Sequence, residues 1–246
     1  APAMFGLRGS SQCQRLAAAY GVQACRDNNA AVAQADVLIL AIKPQVMRDV
    51  LLGIQDAVNQ KHPLIISIAA GIPLSAITDI LGSDLAVVRC MPNTPAMVGM
   101  GATGLIANSQ TSVDEKNLAQ NILAAVGIAL WLENENQIDA VTALSGSGPA
   151  YYFLVMEAMI AAGISLGLDA QTARTLTLQT ALGAATMAQQ SDVAPAELRR
   201  RVTSPGGTTE QALRCFEEGN LVPLFATAMA AAEKRSKELA INAANP

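Results

Sequence analysis

Aromatic side chains are scarce, at 3% of the 246 residues. The core must therefore be packed from Ala, Leu, Val, Ile and Met. Charge is scarce too, at 15% with a net of −4, and no basic tract is longer than Arg199-Arg200-Arg201. A triplet of that length reads as a solvated helix face, which argues against a nucleic-acid partner. The single histidine, His62, stands beside Pro63 in a loop-like stretch. Without a partner it makes a poor acid–base catalyst and is read as structural. The four cysteines (Cys13, Cys25, Cys90, Cys215) have no metal-motif spacing and no disulfide framework. They read as free thiols in a reducing compartment, so the expectation is a cytoplasmic protein without a metal. No signal-peptide pattern is seen. The longest apolar stretch, Tyr151 to Leu168, is interrupted by Glu157, Gly163 and Gly167. That makes it a buried helix rather than a membrane span, and no membrane partner is expected.

What the chain has is apolar surface, 51% of its residues, much of it alanine. The surplus points to close helix packing and to burial between subunits. Up to residue 133 short apolar runs alternate with helical segments. Val37–Ile42 is a continuous apolar run, as expected of a strand covered on both faces. Pro44 suits the first position of a following helix. Further strands are expected at Leu64–Ile68, Ala86–Cys90, Thr103–Ala107 and Ala129–Leu132, with helices at Leu74–Leu81 and Val113–Val126. This alternation predicts a mostly parallel, doubly wound α/β sheet. From residue 134 the strand signal vanishes. Asn134 is expected to cap a helix through Ala143, Ser147 and Pro149 to open an apolar helix, Asp169 to cap the next, and Pro195 to start a shorter one. Two last helices are expected, separated by Gly219 and Pro223. The division is thus 1–133, a sheet domain, and 134–246, a helical domain that dimerises.

Ser204-Pro205-Gly206-Gly207-Thr208-Thr209 is the most informative stretch. Its glycines bare the backbone, hydroxyls flank them, and a helix-periodic segment follows (Ala212, Leu213, Phe216). Thr208 and Gln211 have capping-box spacing. A bare turn at a helix N-terminus suits a small carboxylate or phosphate, although the same residues also make an ordinary turn and cap. Three strand ends could meet a nucleotide: Ala41-Ile42-Lys43-Pro44, Ile68-Ala69-Ala70-Gly71 and Met91-Pro92-Asn93-Thr94-Pro95. Tiny side chains at the second let a ligand sit close, and Asn93 offers amide donors and an acceptor. Ser145-Gly146-Ser147-Gly148-Pro149 could floor a pocket or simply pack tightly. The start of such a sheet usually carries a strand and a G-x-G-x-x-G turn. Ala1 to Ser11 show neither, so the first strand reads as missing, and the segment from Gln12 to Gly21 looks like a later piece of such a domain.

Leu144-Ser145-Gly146-Ser147-Gly148-Pro149-Ala150-Tyr151, followed by Val202-Thr203-Ser204-Pro205-Gly206-Gly207-Thr208-Thr209, resembles pyrroline-5-carboxylate reductase. Supporting pieces are Ala41-Ile42-Lys43-Pro44-Gln45, Ser67-Ile68-Ala69-Ala70-Gly71, Arg89 to Pro95, and Ile138-Asp139-Ala140-Val141-Thr142. The resemblance implies a dinucleotide-binding, Rossmann-like domain over 1–133 and an all-α dimerisation and substrate-binding domain over 134–246, with dimers often joined in a larger ring such as a decamer. It implies reduction of 1-pyrroline-5-carboxylate to L-proline with NADPH or NADH. Carried over by position, Asn28, Ala41, Ile42, Lys43, Pro44, Ala69, Ala70 and Asn93 line the cofactor. Ser204, Gly206, Gly207, Thr208 and Thr209 hold the substrate, and Glu135 falls near the bound ligands. The substrate carboxylate is expected on the N–H groups around Gly206, Gly207 and Thr208, helped by Ser204, with Thr209 as the catalytic partner of the imine nitrogen.

Two other readings compete. A hydroxyacid or cyclic-imine dehydrogenase of the same architecture is one. Hydroxyacid enzymes of that kind use a lysine of the helical half, which here offers only Lys234 and Lys237. A non-catalytic nucleotide-binding protein is the other, if the missing start is genuine.

Overall fold

The computed structural model describes residues 4–6, 15 and 17–244. By contacts the chain forms two units. One runs to Gly146 and takes in the chain again from Ala232; the other spans Ser147–Ala231. The change of periodicity after residue 133 and this contact boundary differ for a physical reason: helical residues after 134 still pack on the sheet, with Ile138 only 2% exposed in its core.

In the first unit, β1 (Met4–Gly6) pairs in parallel with β2 (Gln23–Cys25) as a two-stranded sheet. The sequence reading found no strand before Ser11. Three residues are too short for an alternation to show, and register with β2 defines this strand. The Gly9 region and Gln12 to Gln14 lie outside the described residues. A short helix, α1 (Asn28–Val32), follows, opened by the Asp27 carboxylate, which accepts the Asn29 N–H at 2.9 Å.

The main sheet has five strands side by side in chain order: β3 (Val37–Leu40), β4 (Leu64–Ser67), β5 (Val87–Met91), β6 (Gly101–Ala107) and β7 (Gly127–Trp131). All neighbours are parallel except β5 and β6. Helices α2 (Met47–Lys61), α3 (Leu74–Leu81) and α4 (Val113–Ala124) connect them, and Pro44 opens a 3₁₀ turn ahead of α2. Side chains alternate across β4. Ile65 packs in one core with Leu51, Ile54, Val58, Ile77 and Leu81. Leu64 and Ile66 pack in the other with Leu105, Ala119 and Leu123. Both faces of the strand are covered, which is why its apolar run has no polar break.

Arg89 lies in this sheet at 4% exposure. Its Nη1 meets Glu135 Oε1 at 2.7 Å, and the same oxygen accepts the Leu74 N–H at 2.8 Å. Leu74 opens α3, and Pro73 before it supplies no side-chain cap. Glu135 therefore satisfies a helix N-terminus and a buried cation with one atom.

Gly71 adopts φ +74°, and a Cβ there would come 3.3 Å from Leu239 Cβ and 3.4 Å from the Ala240 nitrogen. Glycine here leaves room for a helix of the same chain, α10 (Leu221–Ala244), to come back against the sheet unit. A second contact fixes that return: Ser236, buried, donates its hydroxyl to Asp139 at 2.6 Å. Asp139 sits on α5 (Gln137–Val141). Asn134 does not cap α5. Gln137 Oε1 instead accepts the N–H groups of Glu133 and Asn134. The helix stops short of Ala143, passing into one wide π turn at Thr142–Gly146.

The second unit holds α6 (Gly148–Ser165), α7 (Ala170–Gln190), α8 (Pro195–Arg201), α9 (Thr208–Glu218) and the first part of α10 (Leu221–Ala244), up to Ala231. Ser147 precedes α6 without a side-chain cap bond, whereas Asp169 caps α7 through the Thr172 N–H at 3.0 Å. Glu197 pairs with Arg200 and Arg201 on α8, the solvated face expected of that triplet. The break before α10 falls at Gly219 and Asn220, and Pro223 lies in the helix's first turn. α6 was expected to be buried, yet Tyr152, Phe153 and Leu154 are 69%, 63% and 66% exposed on the single chain. The apolar surplus of the sequence sits here, bare until another surface covers it.

Replacing Glu135 by Leu leaves the buried Arg89 without its counter-charge and is expected to cost ~3–5 kcal/mol. Replacing Arg89 by Met should cost less, because the Glu135 side chain is 31% exposed and can turn to water. Urea denaturation at fixed protein concentration checks the order; equal costs would contradict it.

Candidate active site

The ends of β3, β4 and β5 lie along one edge because the three strands are parallel. That edge is where open α/β sheets take ligands. The Ile68 N–H donates to the Leu40 carbonyl at 3.2 Å and ties the first two ends together. Past β3, Ala41 and Lys43 are exposed, while Ile42 and Pro44 are half-buried. Lys43 has no salt bridge among the described residues. Past β4, Ala69 is buried and Ala70 exposed, so Ala70 presents only a methyl group and backbone. A flat ring can lie over such a surface and the Lys43 ammonium can meet a phosphate, so these residues fit a nucleotide cofactor.

Past β5, Asn93 is half-buried and largely engaged by its own chain. Its Nδ2 donates to the Ser145 carbonyl at 3.0 Å, and its Oδ1 accepts the Ala102 N–H at 2.9 Å. One amide N–H remains for a ligand. Asn28, the first residue of α1, follows the two-stranded sheet, which among the described residues is not hydrogen-bonded to the main one. The fold thus brings Ala41, Ile42, Lys43, Pro44, Ala69, Ala70 and Asn93 to one edge and places Asn28 on a separate element. Cys90 on β5 is buried, and burial pushes its thiol up to about 12. It remains protonated and is no nucleophile.

The turn Ser204–Thr209 lies within the helical unit and opens α9. Gly206 takes φ +72°, a conformation glycine adopts without strain. A Cβ at Gly207 would meet the Ser204 carbonyl at 3.0 Å, so a side chain is disfavoured at both glycines, by backbone conformation at Gly206 and by crowding at Gly207. Gly207 is the N-cap, and the Thr208–Gln211 capping box does not form. The side chain reaching back is Glu210, whose Oε2 accepts the Gly206 N–H at 2.8 Å. The Gly207 N–H donates to the Ser204 carbonyl at 3.0 Å. Two of the donors expected to grip a substrate acid are therefore engaged. The first three N–H groups of α9, from Thr208, Thr209 and Glu210, make no backbone hydrogen bond among the described residues. They lie at the positive end of the helix dipole, and Ser204, Thr208 and Thr209 expose their side chains beside them.

Glu210 was missed from sequence because Gln211 matched the box spacing from Thr208. Taking Gly207 as the cap moves the third helical position to Glu210, where a capping glutamate belongs. Glu135 carries no local signal for its role, since its partners are distant in sequence. Of the two lysines a hydroxyacid dehydrogenase would draw on, one is paired within its own helix. Lys237 Nζ meets Glu233 at 2.7 Å, and that hydrogen bond holds its ammonium above the ordinary lysine range. Among the described residues no cluster of three metal-ligating side chains occurs, and no helix is long and apolar enough to cross a membrane.

Comparison with known proteins places these features in a family. Residues 135–239 match the pyrroline-5-carboxylate reductase dimerisation family, and residues 3–71 match the family of coenzyme F420-dependent NADP oxidoreductases. The chain is 53% identical over 232 residues to the pyrroline-5-carboxylate reductase of Pseudomonas aeruginosa, covering 94% of this chain and 85% of that one. It is 42% identical over 224 residues to the enzyme of that name from Methanosarcina acetivorans, covering 91% and 82%. Its structure superposes on a pyrroline-5-carboxylate reductase from Coxiella burnetii with a TM-score of 0.91 at 45% identity, over 96% of this chain and 87% of that one. A pyrroline carboxylate reductase from Plasmodium falciparum, solved with NADP bound, gives 0.84 at 29% identity over 96% and 86%. A Rossmann-like sheet followed by a dimerisation domain, with relatives of this identity over nearly its whole length, means that the chain belongs to the pyrroline-5-carboxylate reductase family.

Proposed function

We propose that this chain reduces 1-pyrroline-5-carboxylate to L-proline, the last step of proline biosynthesis, with NADPH or NADH as the reductant. The observation that supports it most is the turn Ser204–Thr209, where open backbone donors and exposed hydroxyls meet with no cationic side chain in the turn. Such a set suits a singly charged carboxylate on a small ring. The acid group sits on the N–H groups of Thr208 and Thr209, with the Ser204 hydroxyl as a further donor. When bound, the reduced nicotinamide supplies a hydride to the imine carbon.

Thr209 holds the imine nitrogen through its hydroxyl. A threonine hydroxyl is a weak acid, so it orients the protonated imine or relays a proton that water provides. Binding and orientation of this kind contribute on the order of 7–11 kcal/mol in favourable cases. Ala41, Ile42, Pro44, Ala69 and Ala70 offer the cofactor a surface of small groups, Lys43 a charge for its phosphates, Asn93 its remaining amide N–H, and Asn28 a further contact from α1. Gly206 and Gly207 keep the turn free of side chains. The exposed apolar face of α6 is covered by a second copy of the chain, and the dimers assemble into a larger ring such as a decamer. Three cysteines among the described residues are free thiols, in keeping with a cytoplasmic setting.

Thr209→Ala is expected to lower kcat by roughly tenfold to a hundredfold, the range for loss of one charge-assisted hydrogen bond. The KM for NADPH should stay within about twofold, because the cofactor residues are elsewhere. Steady-state assays following NADPH absorbance check both, and an unaltered kcat removes Thr209 from the chemistry. Light scattering of the active protein should return an even number of protomers. A fully active monomer would contradict the covering of α6.

A further inference from the structure

The substrate turn already holds a carboxylate of its own. Glu210 Oε2 sits 2.8 Å from the Gly206 nitrogen, and the Glu210 N–H belongs to the open first turn of α9. A second carboxylate entering the turn meets a like charge where it needs donors. Glu210 has somewhere else to go. It also lines an open cleft of about 430 Å³ that contains Arg199, Arg200, Arg214 and Glu217. Arg200 is held along the Nε–Nη2 edge of its guanidinium by both carboxylate oxygens of Glu197, at 2.7 and 2.8 Å. Arg214 and Arg199 make no salt bridge among the described residues. Arg214 follows Glu210 by one helical turn, with the acid on the N-terminal side, the order that favours an ion pair along a helix.

Resting on the substrate site proposed above, we propose that Glu210 is a displaceable carboxylate that sets the affinity for the substrate. Without substrate it occupies the Gly206 N–H. When the acid of pyrroline-5-carboxylate enters, Glu210 swings to Arg214, and the freed Gly206 N–H joins Thr208 and Thr209 as a donor to the substrate. Glu210 thereby acts as an internal competitor for the turn, and Arg214 acts only through Glu210. Charge and position both matter: a ligand with one carboxylate can replace the glutamate one for one.

Kinetics with 1-pyrroline-5-carboxylate at saturating NADPH, together with inhibition by cyclopentanecarboxylate, which has the ring and acid but no imine, test the exchange. Glu210→Ala is expected to lower both KM and Ki by about five- to tenfold, the weight of one charge-assisted contact at an exposed site. Glu210→Gln, which keeps an acceptor without charge, should fall between. Arg214→Met should raise both constants severalfold, and the double variant should match Glu210→Ala alone. Unaltered or raised KM and Ki in Glu210→Ala overturn the proposal, as does an Arg214→Met effect that persists in the double variant, since Arg214 would then touch the substrate itself. Ser204→Ala separates this from the reading beneath it. If Ser204→Ala raises KM while Glu210→Ala does nothing, the turn binds substrate and the gate is wrong. If neither moves KM or Ki, the substrate site is elsewhere and both fail.

Discussion

A single carboxylate oxygen organises the edge of the sheet where the residues proposed to meet the cofactor gather. Arg89 cannot shed its charge, so its place inside the sheet is tolerable only beside a fixed anion. Glu135 is that anion, and its Oε1 also receives the first N–H of α3. Three segments far apart in sequence are thereby bound at one point: β5, the start of α3, and the stretch that leads into α5. Ala69 and Ala70 lie just before α3, and Asn93 lies just after β5. Their relative positions follow from the geometry of this one contact. An uncharged replacement could fill the space, but it would not demand the same meeting of strand, helix and loop.

A second theme is that donors which look available in a loop are often already employed. Asn93 joins the end of β5 to Ser145 and Ala102. Gly71 makes room for Leu239. Gly206 and Gly207 both donate to oxygens of their own turn. In each case the local chemistry suggested a ligand, and the chain supplied the partner. What stays open is narrower: the first three N–H groups of α9, the hydroxyls around them, and the small groups past β3 and β4. A folded loop has to satisfy its polar groups before it can offer any.

The parts of the fold legible in sequence were those whose cause is local. A continuous apolar run marked β4 because both faces of that strand are buried; β3 carries the same kind of run although Ile39 is exposed, so its cover on one face is incomplete. Leu74–Leu81 was bounded correctly because its apolar residues recur at helical spacing between Pro73 and Gly82. Asp169 was readable as a cap because a cap acts within its own turn. The failures share the opposite character. β1 is defined by pairing with β2, not by its three residues. Asn134 resembled a cap, but Gln137 reaches back to occupy the N–H groups nearby. The contact boundary of the units falls beyond the change in periodicity because Ile138 is held by the sheet. In the site, the glycines and hydroxyls of the turn were visible, whereas the destination of each N–H depended on the backbone path. The exposure of α6 was half readable: its apolar character was plain, but a sequence does not say whether the cover comes from the same chain.

The return of α10 to the sheet domain, through Ser236 against Asp139 and Leu239 against Gly71, has a consequence for biogenesis. During synthesis the strands of this unit are made well before residues 232–240, which complete its surface. Until α10 has been made, the space at Gly71 stays unfilled and Asp139 has no Ser236 hydroxyl to receive. The packing of the sheet unit is thus completed by a segment made more than a hundred residues after Gly71, rather than by the last of its strands.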